Sequence, residues 1–209
     1  KETGYSVEGI DVDESLVKKL KELKPDAAFI AMHGRSGEDG TVQELLDILG
    51  IPYTGSDVLP SIRCMDKVLS KHTFVADGIP TPPFFAFNRD AFLELGAVDT
   101  MPIIGDDLGF PIVVKPAAQG SALGIRFAHN VSELPAALIS AFSFDNKVLL
   151  EKYVKGPELA VSILGKEPRA LPVVEVRPKT DFFDFESRYT MGKAEYLVPA
   201  EIPDDVSAQ

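Results

Sequence analysis

Cysteine is almost absent: Cys64 is the only one among 209 residues. No internal disulfide framework can form, and the composition suits a reducing cytosol. Apolar runs are short. None reaches the ~20 residues that cross a bilayer, and no charged segment followed by an apolar one marks a secretory leader. Positive charge is scarce too, with 21 Lys and Arg against 32 Asp and Glu and a formal net charge of −11. That balance excludes a general nucleic-acid binder, which carries a basic surface. It does not exclude a small anionic ligand, because one ion pair at ~4 Å contributes about 4 kcal/mol at an effective dielectric near 20, before desolvation. Two phosphate-binding signatures are missing as well. No G-x-x-x-x-G-K-[ST] occurs, and Gly34, Gly37 and Gly40 read G-x-x-G-x-x-G instead of G-x-G-x-x-G, so neither a P-loop nor a dinucleotide fingerprint is present. Repeats and low-complexity tracts are absent.

What remains is a chain that is 45% hydrophobic and 25% charged, enough for a core in one large or two to three small units. Asp13 is placed to cap a helix carrying Leu16, Val17, Leu20 and Leu23. Residues 27–32 then read as a short buried strand, followed by the polar glycine loop 33–40. Thr41-Val42-Gln43-Glu44 has the form of a capping box opening a helix through Leu49, with Gly50 past its end. Helix, strand, glycine loop and helix make a piece of a doubly wound α/β domain, with the loop at the strand's carboxyl end where such folds bind ligands. A strand and turn at 51–56 follow, then Ser61 precedes one helix, with Met65, Val68, Leu69 and Val75 on one face, that Gly78 ends. Lys67 and Lys71 lie on it four residues apart and read, on spacing alone, as solvated helix lysines.

The densest chemistry lies at 110–124, FPIVVKPAAQGSALG. An apolar β-branched run ends in Lys115, and Pro116 should stop the ladder by removing a donor. A Gly/Ser loop follows, and then a strand at 125–128 that closes a hairpin. A cation on a rigid strand beside a permissive loop with available N–H groups suits a polyphosphate. Further on, Ser132 should cap a helix through Phe142. Strands are expected at 148–150, 159–164 and 171–176, the last carrying Glu175 among apolar neighbours. Residues 178–196 are charged, aromatic and without regular period, as functional loops of that length usually are. The start at Lys1 and the stop at Gln209, just after what reads as a helix start, lead to the expectation of a chain incomplete at both ends.

Five segments occur in a telling order: HGRSGEDGTVQELLDILGIPYTGS (33–56), MDK (65–67), VVKPAAQGSALG (113–124), LLEKYVKGPELAV (149–161) and FDFESRYTMGKAEYLVPA (183–200). Together they resemble the D-alanine–D-alanine ligases of the ATP-grasp superfamily and cover most of the chain. The resemblance implies an α/β ATP-grasp fold with a partial doubly wound, Rossmann-like N-terminal domain (1–66), a central α+β domain (67–153) and the start of a C-terminal ATP-grasp domain (154–209). It implies an ATP-dependent ligase that makes D-alanyl-D-alanine for peptidoglycan in the cytoplasm, by way of an acyl phosphate. ATP and D-alanine are the implied small-molecule partners, a homodimer the implied assembly, and neither nucleic acid nor membrane is expected to bind.

Position by position, His33 resembles the histidine beside the first D-alanine. Lys67 and Lys115 resemble the lysines holding ATP phosphates, a task for compact ammonium charges. Ser121 resembles the loop serine that closes over substrate. Glu151, Lys152, Tyr153 and Val154 look like the adenine hinge, and Glu158 like the carboxylate that accepts from the ribose. Arg188-Tyr189 resembles the lid, with Tyr189 bonding to Ser121 on closure and excluding water from the acyl phosphate. Three positions depart from the family's habit: Arg188 for lysine, Gln119 for glutamate and Ala122 for serine. Two Mg²⁺ (or Mn²⁺) ions are implied, with ligands expected after Gln209 and none in this stretch, so that the stretch alone should be inert. The alternatives are a D-alanine–D-lactate ligase, against which Tyr189 weighs, and a non-catalytic nucleotide-binding homologue.

Overall fold

The computed structural model describes residues 4–179, 190 and 192–207. The chain divides into two compact units, 1–70 and 71–209.

In the first unit, α1 (Leu16–Leu23) and α2 (Thr41–Leu49) bury Leu16, Leu20, Val42 and Leu46 against Ile30, Met32 and Tyr53, as helical spacing requires. The expected N-terminal caps are built differently. The Asp13 carboxylate accepts from the Ser15 N–H at 2.8 Å, and the helix starts only at Leu16. At α2, Thr41 already stands inside the helix, so no capping box forms. Gly40 takes the cap position with φ 91°, Asp39 accepts from the Thr41 N–H, and the Gln43 amide donates to the Gly37 carbonyl at 2.7 Å. Gly50 ends the helix in the left-handed region, as expected. The two strands read at 27–32 and 51–56 reduce to one parallel bridge, Ala28 to Tyr53. An isolated strand pair is marginal without further strands beside it, and the bridge has none among the described residues.

The single helix expected between Ser61 and Gly78 is two helices, α3 (Val58–Met65) and α4 (Lys67–Ala76). Asp66 separates them in extended conformation. Its Oδ1 accepts from the N–H groups of Val68 and Leu69, at 2.8 and 3.1 Å, so the aspartate of MDK is the N-cap of α4. Ser61 lies inside α3, with its hydroxyl donating to the Ser56 carbonyl. The apolar period runs through both helices and hides the break.

The second unit is built on a four-stranded antiparallel sheet. β1 (Phe84–Asn88) and β2 (Ile112–Pro116) flank β4 (Lys147–Lys152), and β3 (Arg126–Ala128) extends the sheet beside β2. Helices α5 (Arg89–Glu94), α6 (Met101–Leu108) and α7 (Leu134–Phe142) cover one face. Ile112 and Val114 from β2 and Val148 and Leu150 from β4 point into that core, with Leu134, Leu138 and Ile104 opposite them. Successive side chains alternate faces, so Val113, Lys115, Leu149 and Glu151 must emerge on the other side. Pro116 does not stop the pairing: it is itself the last strand residue, and the next N–H, from Ala117, still donates to the Lys147 carbonyl at 2.9 Å. The side-chain cap ahead of α7 is Asn130, and Ser132 lies inside the 3₁₀ turn (Val131–Glu133) that it opens. The Asn130 side chain accepts from the Ser132 N–H and starts a 3₁₀ turn that runs into the helix.

Beyond β4, β5 (Glu158–Ala160), β8 (Val174–Pro178) and β9 (Ala194–Leu197) form a three-stranded sheet, and β6 (Ile163–Leu164) pairs β7 (Arg169–Ala170). The run read as one strand at 159–164 is thus split between two sheets, and residues 194–196, read as irregular, are strand. Glu175, 7% exposed, receives two hydrogen bonds from the Arg177 guanidinium, at 2.7 and 3.1 Å. Those bonds hold its carboxyl below the usual range. Arg177 also reaches Glu201 at 2.7 Å, which ties the chain after β9 back to β8. A final short helix, α8, spans Asp204–Ser207.

Candidate active site

Lys115 and Glu151 are diagonal neighbours on the sheet face opposite the core, because Lys115 pairs with Leu149 and Glu151 with Val113. Long side chains span that diagonal, and the Lys115 ammonium is ion-paired to Glu151 Oε1. A third group arrives from α4. Lys71 Nζ donates to Glu151 Oε2 at 2.7 Å and to Thr81 Oγ1 at 2.8 Å, and lies 5.0 Å from the Phe84 ring centroid. Lys71 is only 6% exposed, so it is not a solvated helix lysine. A signal for it exists in hindsight: it follows buried Val68 by three residues, on the same helix stripe. Burial pushes the Glu151 carboxyl up, but the ammoniums of Lys115 and Lys71 outweigh burial and hold it below its ordinary value. Two ammoniums against one carboxylate leave one positive charge over, on side chains that are 12% (Glu151) and 20% (Lys115) exposed. Such a surplus suits an anion.

The loop after Lys115 is held at its stem. Asp145 Oδ2 accepts from the Ala118 N–H at 2.7 Å, and the Gln119 amide donates to the Phe144 carbonyl at 2.9 Å. Ser121 and Ala122 both lie in the left-handed region, at φ 52° and 59°, a conformation that costs non-glycine residues roughly 1–2 kcal/mol each and gathers at ligand clamps. Gly124 closes the loop at φ 75°, where a Cβ would stand 2.7 Å from both the Phe144 ring and Pro116. Gly124→Ala should therefore destabilise the protein by about 2–3 kcal/mol, read as a drop in thermal midpoint; an unchanged midpoint would mean that the loop closes differently.

The hinge 151–154 leaves the sheet beside the cluster. Its backbone donors are partly committed, since the Lys152 N–H bonds the Pro83 carbonyl and the Tyr153 N–H bonds the Pro111 carbonyl, both at 3.1 Å. The Tyr153 ring meets Phe127 edge-on, 5.6 Å between centroids. Val154 is exposed, and Glu158 sits opposite Val176 at the start of β5. In the first unit, the His33 side chain is 76% exposed, 3.9 Å from Glu38, and borders a cavity of about 560 Å³ with Met32, Gln43, Thr54 and Cys64. Lys67 occupies the first position of α4. Arg188 and Tyr189 lie outside the described residues. Among the described residues no three His, Cys, Asp or Glu converge as a metal site would require. No helix among them is long and apolar enough to cross a membrane.

Models of the D-ala D-ala ligase N-terminus and C-terminus match residues 6–56 and 73–209 in turn. The chain belongs to the D-alanine–D-alanine ligase family. A D-alanine–D-alanine ligase of Moorella thermoacetica is 40% identical over 206 residues, which are 98% of this chain and 66% of that protein. The crystal structure of the Bacillus anthracis D-alanine–D-alanine ligase matches all of this chain and 65% of its own, at 35% identity and a TM-score of 0.79. The same ligase complexed with ATP gives 32% identity and a TM-score of 0.77, over 100% and 64% of the two chains. This chain spans just under two thirds of the length of the curated relatives it matches. With membership of this family, the α/β, ATP-grasp fold implied by the five segments is established.

Proposed function

We propose that the protein carrying this chain is an ATP-dependent ligase that joins two D-alanines for peptidoglycan synthesis in the cytoplasm. The observation that carries the reading is the Lys71–Glu151–Lys115 cluster, half-buried around a buried Lys71, with its surplus positive charge, at the foot of a strained Gly/Ser loop in a member of this family. In the proposed reaction the carboxylate of one D-alanine takes the γ-phosphoryl group of ATP, and the amine of a second displaces phosphate to form the amide. Lys115 binds and neutralises phosphate oxygens, and Lys67 is proposed as a second phosphate-binding lysine. The strand fixes Lys115 before ligand arrives, so little reorganisation opposes the charge that develops. Ser121 is proposed to contact the transferring group from its loop, and Tyr189 to help exclude water from the acyl phosphate. His33 is proposed to orient the first D-alanine. The hinge at 151–154 and Glu158 are proposed to hold adenosine. With the Lys152 and Tyr153 N–H groups already bonded, carbonyl oxygens and the Tyr153 ring are the groups best placed to meet the base. Mg²⁺ is expected as ATP's companion ion, and a second copy of the chain is the expected partner.

The test uses full-length protein with ATP and Mg²⁺. Phosphate release should depend on D-alanine and yield D-alanyl-D-alanine. Release supported by L-alanine and not by D-alanine would overturn the substrate assignment.

A further inference from the structure

We propose that Lys71 is a positioning residue of the nucleotide site, one that sets the charge Lys115 can offer to phosphate. The proposal rests on the nucleotide reading above and goes beyond it by assigning a residue outside the five family segments. Glu151 has two carboxylate oxygens, and the structure divides them: Oε2 accepts from Lys71 and Oε1 pairs with Lys115. Lys71 is held in turn by Thr81 Oγ1 and by the face of Phe84. Phe84 is the cross-strand partner of Glu151, so the anchor and the carboxylate sit on adjacent strands of one sheet.

The consequence is electrostatic. Alone with Glu151, Lys115 would belong to a neutral pair, and a phosphate would compete with that carboxylate for the ammonium. With Lys71 engaging the other oxygen, the carboxylate's charge is shared between two cations, and Lys115 retains net attraction for an anion. Lys71 itself is too enclosed, and too fully bonded, to be the group that meets phosphate. A lysine at this depth carries a desolvation cost that folding does not require, since an apolar residue on the α4 stripe would pack there at no such cost.

The experiment measures ATP and adenosine binding by titration calorimetry to full-length wild-type, Lys71→Met and Lys71→Met/Glu151→Gln proteins. Adenosine reports on the base and ribose pocket without phosphate charge. Lys71→Met should weaken ATP by about tenfold or more and leave adenosine within about twofold. The double variant restores one surplus positive charge and should recover most of the lost ATP affinity. Should Lys71→Met fail to fold, Thr81→Val removes one of the two acceptors that fix Lys71 and should weaken ATP roughly threefold, again sparing adenosine. Equal losses for ATP and adenosine would make Lys71 a merely structural residue and overturn the proposal. So would unchanged ATP affinity in both Lys71→Met and Thr81→Val. Failure of the wild type to bind either ligand would instead overturn the nucleotide reading on which the proposal rests.

Discussion

Replacing Lys115 by methionine in the full-length protein should lower turnover with ATP and D-alanine at least about a hundredfold, while the fold survives. The two halves of this expectation come from the same geometry. Lys115 stands on the sheet face away from the core, with a side chain 20% exposed, so its charge acts through protein more than through water and is weakly screened. Methionine keeps the length and most of the apolar stem. The Glu151 carboxylate is not orphaned, because Lys71 still donates to Oε2. Stability should fall by no more than about 1–2 kcal/mol, seen as a small change in thermal midpoint. Single-turnover measurements of ADP formation separate lost chemistry from slow product release. Turnover within threefold of wild type would remove Lys115 from the phosphate site.

Glu151→Leu acts in the opposite manner. It leaves two ammoniums facing one another without their shared carboxylate, and Lys71 is almost wholly buried. Removing one partner from a buried ionic group costs about 3–5 kcal/mol, so this substitution should destabilise more than any other at the site. The effect should depend on pH with a definite sign. The folded-state carboxyl is held below its ordinary value of 4.5 by Lys115 and Lys71, against the upward push of burial. A group with a depressed folded value contributes its full stabilisation above the unfolded value and loses it as pH falls through the folded one. The thermal midpoints of wild type and Glu151→Leu should therefore lie far apart at pH 7 and converge below about pH 4.5. A gap that stays constant between pH 7 and pH 3.5 would show that Glu151 acts by packing and not by charge.

Much of the site was legible in local pattern. Lys115 at the end of a β-branched run, the Gly/Ser loop after it and the hairpin that encloses the loop follow from a continuous apolar run and turn chemistry, and β2, β3 and β4 stand where that pattern put them. The helix ends were legible in kind but not in detail. Thr41 and Ser132 looked like caps, yet Gly40 caps α2 and Asn130 caps the 3₁₀ turn that runs into α7, because a cap depends on where the chain enters the helix and that direction is set outside the motif. Asp66 was hidden for a related reason: apolar spacing continued across the break, and only backbone conformation shows that α3 and α4 are separate.

By itself the sequence determined the family, through five segments in order, and put Lys115 and Glu151 at the ends of two apolar runs. The runs 112–114 and 148–150 are apolar on both faces, so the sequence left open which face each of the two residues takes. Only the tertiary structure decided that they meet. Register depends on which strands become neighbours, and here β4 lies between β1 and β2, far apart in sequence. The same holds for Lys71, which shares a helix stripe with Val68 but, as a lysine, reads as solvated in sequence. Its burial against Glu151, eighty residues away, is a product of packing, and it turns a simple lysine–glutamate pair into a cluster with charge to spare for an anion.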